Sequence, residues 1–186
     1  MTVLQTERLT LRPLVPGDAE AYAAMRFHPD VARWLPPAAA DPAEAIRNTI
    51  ERFAAGWRER GHAPWGLFRE GRLIGHGGLN YVPEFGETEV LWALHPDAWG
   101  RGYATEAARA ALGYGFETLG LDLIFAMTLP DNLPSQAVMR RLGLTWRRRV
   151  EYKGFSDIVW FDMDRQTWLS SSRSADASAG HPTRHR

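Results

Sequence analysis

Two glycines separated by one residue, Gly100 and Gly102, lie between an apolar run and an alanine-rich segment. The run before them, from Val90 to Leu94, alternates at period two and predicts a strand. The segment after them repeats apolar residues at spacings of three and four and predicts a helix. A strand-to-helix turn points free backbone N–H groups and the positive end of the helix dipole at one spot. This arrangement favours phosphate binding, although two glycines can equally make only a tight turn.

Several other chemistries are excluded by the residues present. Thr105 stands where a Gly-x-Gly-x-x-Gly motif needs its third glycine, and no Gly-Lys-Ser/Thr ending follows. The chain has no cysteine, which excludes disulfides, thiolate metal sites and a cysteine nucleophile. The histidines show no metal-ligand spacing, so we expect no metal. Basic and acidic residues balance at 22 each, which argues against a nucleic-acid partner.

The elements around this turn predict an α/β chain with a mixed sheet and helices on both faces. Strands are predicted at 8–14, 65–69, 73–80, 88–95, 123–128, 146–152 and 158–163, and helices at 18–27, 41–60, 103–119 and 132–142. Asp18 and Asp41 are expected to cap the first two of these helices. The strand-helix-strand unit at 88–128 predicts two adjacent parallel strands with a right-handed connection.

The chain is expected to form one domain over residues 1–169, followed by a disordered tail over 170–186. Serine, alanine, arginine and histidine dominate that tail. No apolar run approaches the roughly 20 residues of a spanning helix, and the first residues lack a signal-peptide pattern. We therefore expect a cytoplasmic protein with no membrane partner, as a monomer or homodimer.

Several motifs, taken together and in order, resemble the GNAT superfamily of acetyl-CoA-dependent N-acetyltransferases. They are Pro96, the run Trp99-Gly100-Arg101-Gly102-Tyr103-Ala104-Thr105-Glu106-Ala107, Asn132-x-x-Ser135 and Leu142-Gly143-Leu144. The opening Thr6-Glu7-Arg8-Leu9-x-Leu11-Arg12 is similar to the Rim-type branch, which acetylates ribosomal-protein N-termini. The resemblance covers about residues 6–168. It implies a GNAT-like fold, whose mostly antiparallel sheet is splayed at a central parallel pair. It also implies acetyl-CoA as co-substrate and an amine acceptor, with a protein or peptide N-terminus as the leading candidate.

The same resemblance implies where acetyl-CoA binds. Backbone N–H groups bind its pyrophosphate over the residues Trp99, Gly100, Arg101, Gly102, Tyr103, Ala104 and Thr105. Pantetheine pairs with the splayed strand at Trp92, Ala93 and Leu94, as an added strand would. Asn132 lies beside the pantetheine arm and can cap its helix at the same time. The Arg101 side chain either pairs with a phosphate or is simply solvated.

Three side chains are candidates for the catalytic steps. In Rim-type members a serine at the position of Ser135 donates to the departing sulfur, although here it can also be only a first-turn helix residue. Glu151 resembles the Rim-type carboxylate, and Glu89 lies on the strand; either is a candidate base. A backbone N–H near Ala93 or Leu94 can hold the oxyanion. An α-amino group titrates near ~7.7–8.0, against ~10.4 for lysine, and so needs little base strength.

Two departures from the family pattern keep other functions open. Met139 stands where many relatives carry a tyrosine that acts as the general acid, and Leu91 stands where they carry glycine. An acyl-CoA-binding regulatory or sensor module with little turnover is therefore one alternative. Acetylation of a small-molecule amine, such as a polyamine or a drug, is the other.

Overall fold

A single eight-stranded sheet organises the chain in the computed structural model, which describes residues 2–37 and 41–171. The strands are β1 (Leu4–Gln5), β2 (Thr10–Arg12), β3 (Pro64–Arg69), β4 (Arg72–Val82), β5 (Glu87–Leu94), β6 (Leu123–Thr128), β7 (Thr145–Tyr152) and β8 (Phe155–Asp164). The helices of the described residues are α1 (Ala19–Arg26), α2 (Pro29–Ala32), α3 (Pro42–Arg60), α4 (Tyr103–Gly113), α5 (Leu133–Leu142) and α6 (165–171).

The strand order is β1-β2-β3-β4-β5-β6-β8-β7, and every neighbouring pair except one is antiparallel. The exception is β5 and β6, which run parallel and are connected through α4. The structure therefore confirms the predicted α/β class, the mixed and mostly antiparallel sheet, and the central parallel pair.

Helices cover both faces of the sheet, as two residues of β4 show. His76 contacts the rings of Tyr22 in α1 and Phe53 in α3, with centroids 5.5 and 5.9 Å apart. Leu79 lies three residues further along and so points to the opposite face. There it packs against Gly115, just after α4, where an added Cβ would come within 3.0 Å of the Leu79 side chain. The two faces therefore carry different helices, as predicted.

The long helix α3 follows the capping and periodicity that its sequence predicts. The Asp41 carboxylate accepts a hydrogen bond of 2.9 Å from the Ala43 N–H, and Gly61 ends the helix with φ of +71°. The apolar stripe is buried against the sheet and consists of Ile46, Ile50, Phe53 and Trp57. Burial of this stripe fixes α3 over β4, above one side of the cavity described below.

Some local expectations are wrong. The Asp18 side chain does not cap α1; its oxygens accept from Arg12 at 2.7 and 2.8 Å and from the Val15 N–H at 2.9 Å. The helix expected over 103–119 ends at Gly113 and continues as a π-helical turn, Tyr114–Thr118. Strand β1 was not predicted, and neither was α6.

Helix α6 extends to residue 171, two residues into the segment predicted as a tail. Trp168 of this helix is buried, and its indole N–H donates to the Glu117 carboxylate at 2.7 Å. Residues 170 and 171 therefore continue the ordered domain. The rest of the predicted tail, 172–186, lies outside the described residues.

The parallel strands β5 and β6 separate soon after they begin to pair. Their register contains only Thr88↔Ile124 and Glu89↔Phe125, although β5 continues to Leu94 and β6 to Thr128. On its other side β5 stays paired with β4 through Leu94. From Val90 onward, the edge of β5 that faces β6 is therefore free to bind an extended ligand.

Candidate active site

A cavity of about 970 Å³ occupies the gap between the splayed strands. It runs from the N-terminus of α4, past β5 and β6, to the inner surfaces of α1 and α3. Its size and its position between elements are those of a ligand site.

The glycine turn forms one end of this cavity. Gly100 and Gly102 have φ of +70° and +81°, and Gly102 is the N-cap residue that directly precedes α4. The Trp99 indole N–H donates to the Leu94 carbonyl at 2.8 Å, which ties the turn to the end of β5. The residues of the turn that line the cavity are Trp99, Gly100, Gly102, Tyr103, Ala104 and Thr105. Free N–H groups at a helix N-terminus, without bulky side chains in front of them, suit a phosphate.

Arg101 is the one residue of the proposed turn that does not line the cavity. It is exposed, and its Nε donates to the Asp97 carbonyl at 3.1 Å. Arg141 of α5 lines the cavity instead, and its guanidinium donates to the Thr105 hydroxyl at 3.3 Å. The arginine that lines the cavity beside the N-terminus of α4 is therefore Arg141 rather than Arg101.

The connection between β1 and β2 holds the turn from behind. The Glu106 carboxylate accepts from the Thr6 hydroxyl at 2.6 Å, from the Arg8 N–H at 2.8 Å and from Arg8 Nε at 2.7 Å. Arg8 also donates to the Arg101 carbonyl at 2.9 Å. Partial burial alone acts to raise the pKa of Glu106, but the hydrogen bonds from Thr6 and Arg8 lower it below its usual value. The Arg8–Glu106 ion pair and the hydrogen bond from Thr6 therefore connect the opening motif, Thr6 to Arg12, with the first turn of α4.

The other predicted acetyl-CoA contacts lie along the same cavity. Trp92, Ala93 and Leu94 of β5 all line it, on the stretch that β6 leaves unpaired. Asn132 is buried, and its side-chain oxygen accepts from the Ser135 N–H at 3.2 Å, so it caps α5 while lining the cavity. Ser135 lines the cavity as well, and the buried Met139 follows it one turn later in α5.

Glu89 is the candidate base that the structure places in the cavity. It lies at the last paired position before the splay, opposite Asn80 of β4 and Phe125 of β6. Its side chain is buried, and that burial raises the pKa of Glu89 to about 8. The Lys153 charge, the Asn80 amide and the Met127 N–H act in the opposite direction, since each favours the ionised carboxylate. A carboxyl group with this pKa exchanges protons near neutral pH.

Glu151, the other candidate base, is exposed on β7 and does not line the cavity. Its neighbours Tyr152 and Lys153 do line it. Val150 and Tyr152, on either side of Glu151, both pack against the buried cluster of Val82, Phe125 and Trp160, whereas the Glu151 side chain is exposed. The structure brings Glu89 and Ser135 to one cavity and leaves Glu151 outside it.

On the side of α1 and α3, the cavity is lined by side chains that the sequence analysis did not propose as site residues. The Tyr22 hydroxyl and His76 Nδ1 share a hydrogen bond of 3.3 Å. Burial, together with the charges of Arg26 and Arg52, lowers the pKa of His76 to about 3, so its ring is neutral. Burial raises the pKa of Tyr22 to about 12. These residues come from α1, α3 and β4, and no motif links them in the sequence.

The described part of the chain contains no group of three or more His, Cys, Asp or Glu side chains that could hold a metal ion. Separately, none of its helices is long and apolar enough to cross a membrane.

Comparison with known proteins adds independent findings. Residues 8–145 match the family model for the acetyltransferase (GNAT) domain. An uncharacterized N-acetyltransferase of Bacillus subtilis, YoaA, is 31% identical over 144 residues, covering 76% of this chain and 81% of that protein. The FsC-acetyl coenzyme A-N(2)-transacetylase of Aspergillus fumigatus is 32% identical over 153 residues, covering 76% of this chain and 64% of that protein. An acetyltransferase structure from Agrobacterium tumefaciens superposes with a TM-score of 0.75 at 31% identity, over 88% of this chain and 94% of that one.

Proposed function

Because the chain belongs to the GNAT acetyltransferase family, whose members take acetyl from acetyl-CoA, we propose that it acetylates the α-amino group of a protein or peptide N-terminus by direct transfer. The observation that carries this proposal is the buried carboxyl group of Glu89 beside the splayed strands. The pKa of Glu89 is about 8, and an α-ammonium group titrates near ~7.7–8.0. Proton transfer between two groups of similar pKa is close to balanced, whereas a lysine ammonium near ~10.4 is a much poorer donor.

In the proposed reaction the amine nitrogen attacks the thioester carbonyl carbon, and the carbon–sulfur bond breaks. The proton lost by the amine goes to Glu89, and the CoA thiolate leaves with the bonding electron pair. A thiol titrates near ~8.5, so this leaving group needs little help. Positioning of the amine against the thioester is therefore expected to supply a large part of the rate.

Two further groups are assigned to the developing charges. A backbone N–H of β5 near Ala93 or Leu94 is proposed to hold the oxyanion, because β6 leaves that edge of the strand unpaired. Ser135 is proposed to donate to the departing sulfur, and its place on the cavity wall supports this. Met139, at the position of the tyrosine acid of many relatives, has no proton to donate.

A small-molecule amine is the second candidate acceptor. It is favoured by one observation, the 32% identity with the FsC-acetyl coenzyme A-N(2)-transacetylase, whose name describes acetyl transfer to a nitrogen, N(2), and mentions no protein N-terminus. The two candidates share the same acetyl-CoA site and differ only in what enters from the side of α1 and α3.

The acceptor can be tested with two matched peptides and labelled acetyl-CoA. One peptide has a free N-terminus and no lysine; the other has a blocked N-terminus and one lysine. We expect label only on the first, read by mass spectrometry, with an equal amount of thiol released. Label only on small amines would favour the second candidate. Acetyl-CoA binding without transfer to any amine would favour the sensor module.

A further inference from the structure

The charged side chains of the cavity are almost all positive. The cations among its described lining residues are Arg26, Arg33, Arg52, Arg141 and Lys153. Glu89 is the only carboxylate among those same residues. Arg141 lies beside the N-terminus of α4, next to Thr105, which leaves the other four cations for the remainder of the cavity.

Three of these arginines belong to the side of the cavity formed by α1, α2 and α3. Arg26 ends α1, Arg33 follows α2, and Arg52 lies in α3. The charges of Arg26 and Arg52 both act on His76, whose register partner in β5 is Ala93. Because side chains alternate along a strand, Ala93, Leu91 and Glu89 share one face with His76. The arginines of α1 and α3 therefore lie over the same face of the sheet as Glu89, on the side of the cavity opposite the glycine turn.

None of Arg26, Arg33 and Arg52 forms an ion pair with a carboxylate in the part of the chain that the structure describes. Arg33 and Arg52 lie over the rings of Trp34 and Phe53, each 4.9 Å from the ring centroid. Arg26 donates to the Pro36 carbonyl at 2.5 Å, a neutral acceptor. Burial also lowers the pKa of Arg26, because desolvation disfavours its charged form.

The positive charge of these three arginines disfavours a purely cationic acceptor. A polyamine or a lysine-rich peptide brings ammonium groups, which arginines repel. An acceptor with a carboxylate near its amine instead gains charge-assisted and bidentate hydrogen bonds from a guanidinium. The same positive charges favour the neutral form of the amine, which is the form that attacks.

We propose that the acceptor carries a carboxylate a few bonds from its amine, and that Arg26, Arg33 and Arg52 bind this carboxylate while Glu89 receives the amine proton. The proposal rests on the proposed function and specifies its acceptor. Acidic side chains directly after a protein N-terminus supply such a group, and so does a small amino acid derivative.

Matched acceptors test the proposal. A peptide with aspartate and glutamate directly after its free N-terminus is compared with one carrying asparagine and glutamine there. A second pair, the amides of Ser-Asp and Ser-Asn, represents small acceptors. We expect kcat/KM to be about tenfold higher for the acidic member. A preference confined to the long peptides assigns the carboxylate to a protein N-terminus, and a preference in both pairs extends it to small acceptors.

Equal kcat/KM within both pairs would overturn this inference while leaving the proposed function intact. A preference for the neutral member would overturn it in the same way. Absence of transfer to every acceptor would overturn the proposed function, and this inference with it.

Two variants on α3 connect the preference to the arginines. Arg52→Gln is expected to reduce the acidic preference severalfold, with the affinity for acetyl-CoA, measured by calorimetry, unchanged. Arg47→Gln is the control, because Arg47 is exposed on the same helix and does not line the cavity. Weaker acetyl-CoA binding in Arg52→Gln, with the acidic preference retained, would assign the arginine to CoA and overturn the proposal.

Discussion

Glu89 and Glu151 are both strand glutamates, yet their surroundings give them different chemistry. Glu89 is 7% exposed, and desolvation makes its ionised form costly, which raises its pKa to about 8. Glu151 is exposed on the outer side of β7. Only the buried carboxyl group can take a proton from an amine inside the cavity and return it to solvent near neutral pH. We therefore propose Glu89 as the base.

Replacing Ser135 by alanine tests the proposed donor to sulfur. We expect kcat to fall roughly tenfold, which is less than the ~10²–10³ of a lost oxyanion donor, because a thiolate needs less stabilisation. The affinity for acetyl-CoA should stay close to that of the wild type, since the bond strengthens only as the thiolate forms. Single-turnover kinetics and calorimetry measure the two quantities.

Ser156→Ala is the matched control for that prediction, because Ser156 is exposed in β8 and does not line the cavity. An unchanged kcat in Ser135→Ala would leave Ser135 as a first-turn residue of α5 and remove it from the chemistry.

The site residues that the sequence could predict are those of the glycine turn and of α5, where motif and spacing are local. The choice between Glu89 and Glu151 could not be made, because period-two alternation tells which residues share a face but not which face is covered. The arginines of α1 and α3 could not be predicted as a group. They meet only because both helices pack on the face of the sheet that carries His76.

The N-terminus of α4 is the element to which we assign the binding of the acetyl-CoA phosphates. Gly102, the residue just before it, adopts a left-handed conformation with φ of +81°, and an added Cβ would lie 3.4 Å from the Arg8 guanidinium. Arg8 in turn anchors the turn through Glu106. A side chain at Gly102 therefore strains the backbone and disturbs the groups behind it at the same time.

Gly102→Val is expected to weaken acetyl-CoA binding at least about tenfold, because a branched side chain blocks the approach of phosphate to the helix N-terminus. Gly86→Val is the control. Gly86 also has a positive φ, +68°, but it lies in the turn before β5 with open space around it and away from the cavity. Both variants carry similar backbone strain, and calorimetry should show lost affinity only for Gly102→Val. Equal affinities in two folded variants would contradict the assignment.

Most elements could be predicted because their apolar periodicity, caps and turn residues are local in the sequence. Strand β6 was expected over 123–128 and is observed there, and Asp41 and Gly61 bound α3 as expected. Strand β1 contains only two residues, so it shows no periodicity, and only its pairing with β2 defines it. Aspartate often caps helices, but the Asp18 side chain forms a tertiary ion pair with Arg12 instead.

At the level of the whole molecule, one sheet positions both the glycine turn and Glu89, and α6 packs beside the turn that follows α4. The Trp168 ring stacks on Phe116 at 5.9 Å between centroids, within the π-helical turn that follows α4. Helix α6 therefore packs against the C-terminal end of the helix whose N-terminus forms the proposed phosphate site.

A truncation after Ser171 is expected to leave Tm and acetyl transfer unchanged, since the composition beyond that point predicts a disordered tail.

By contrast, Trp168→Ala should lower the free energy of unfolding by about 3–5 kcal/mol, because it removes a buried indole. Trp146→Ala is the control, because Trp146 is 52% exposed on β7 and its loss should change stability little. Denaturant unfolding measures the free energy of unfolding of the two tryptophan variants, and thermal unfolding and an acetyl-transfer assay test the truncated protein. A large loss of stability in the truncated protein would show that the tail packs on the domain.

The rate of acetyl transfer in Glu89→Gln, with Glu151→Gln as the same substitution outside the cavity, tests the central claim most directly. A base acts only after it loses its proton, so the wild-type rate should rise with pH through a midpoint near 8, the pKa of Glu89. In Glu89→Gln we expect a rate lowered by about 10²–10⁴, because no carboxylate then receives the amine proton. The limb that remains reports the α-amino group of the acceptor itself, near ~7.7–8.0, so its midpoint should stay close to that of the wild type. Glu151→Gln should keep the wild-type rate and profile. A rate that falls in Glu151→Gln but not in Glu89→Gln, or in neither, would contradict the account.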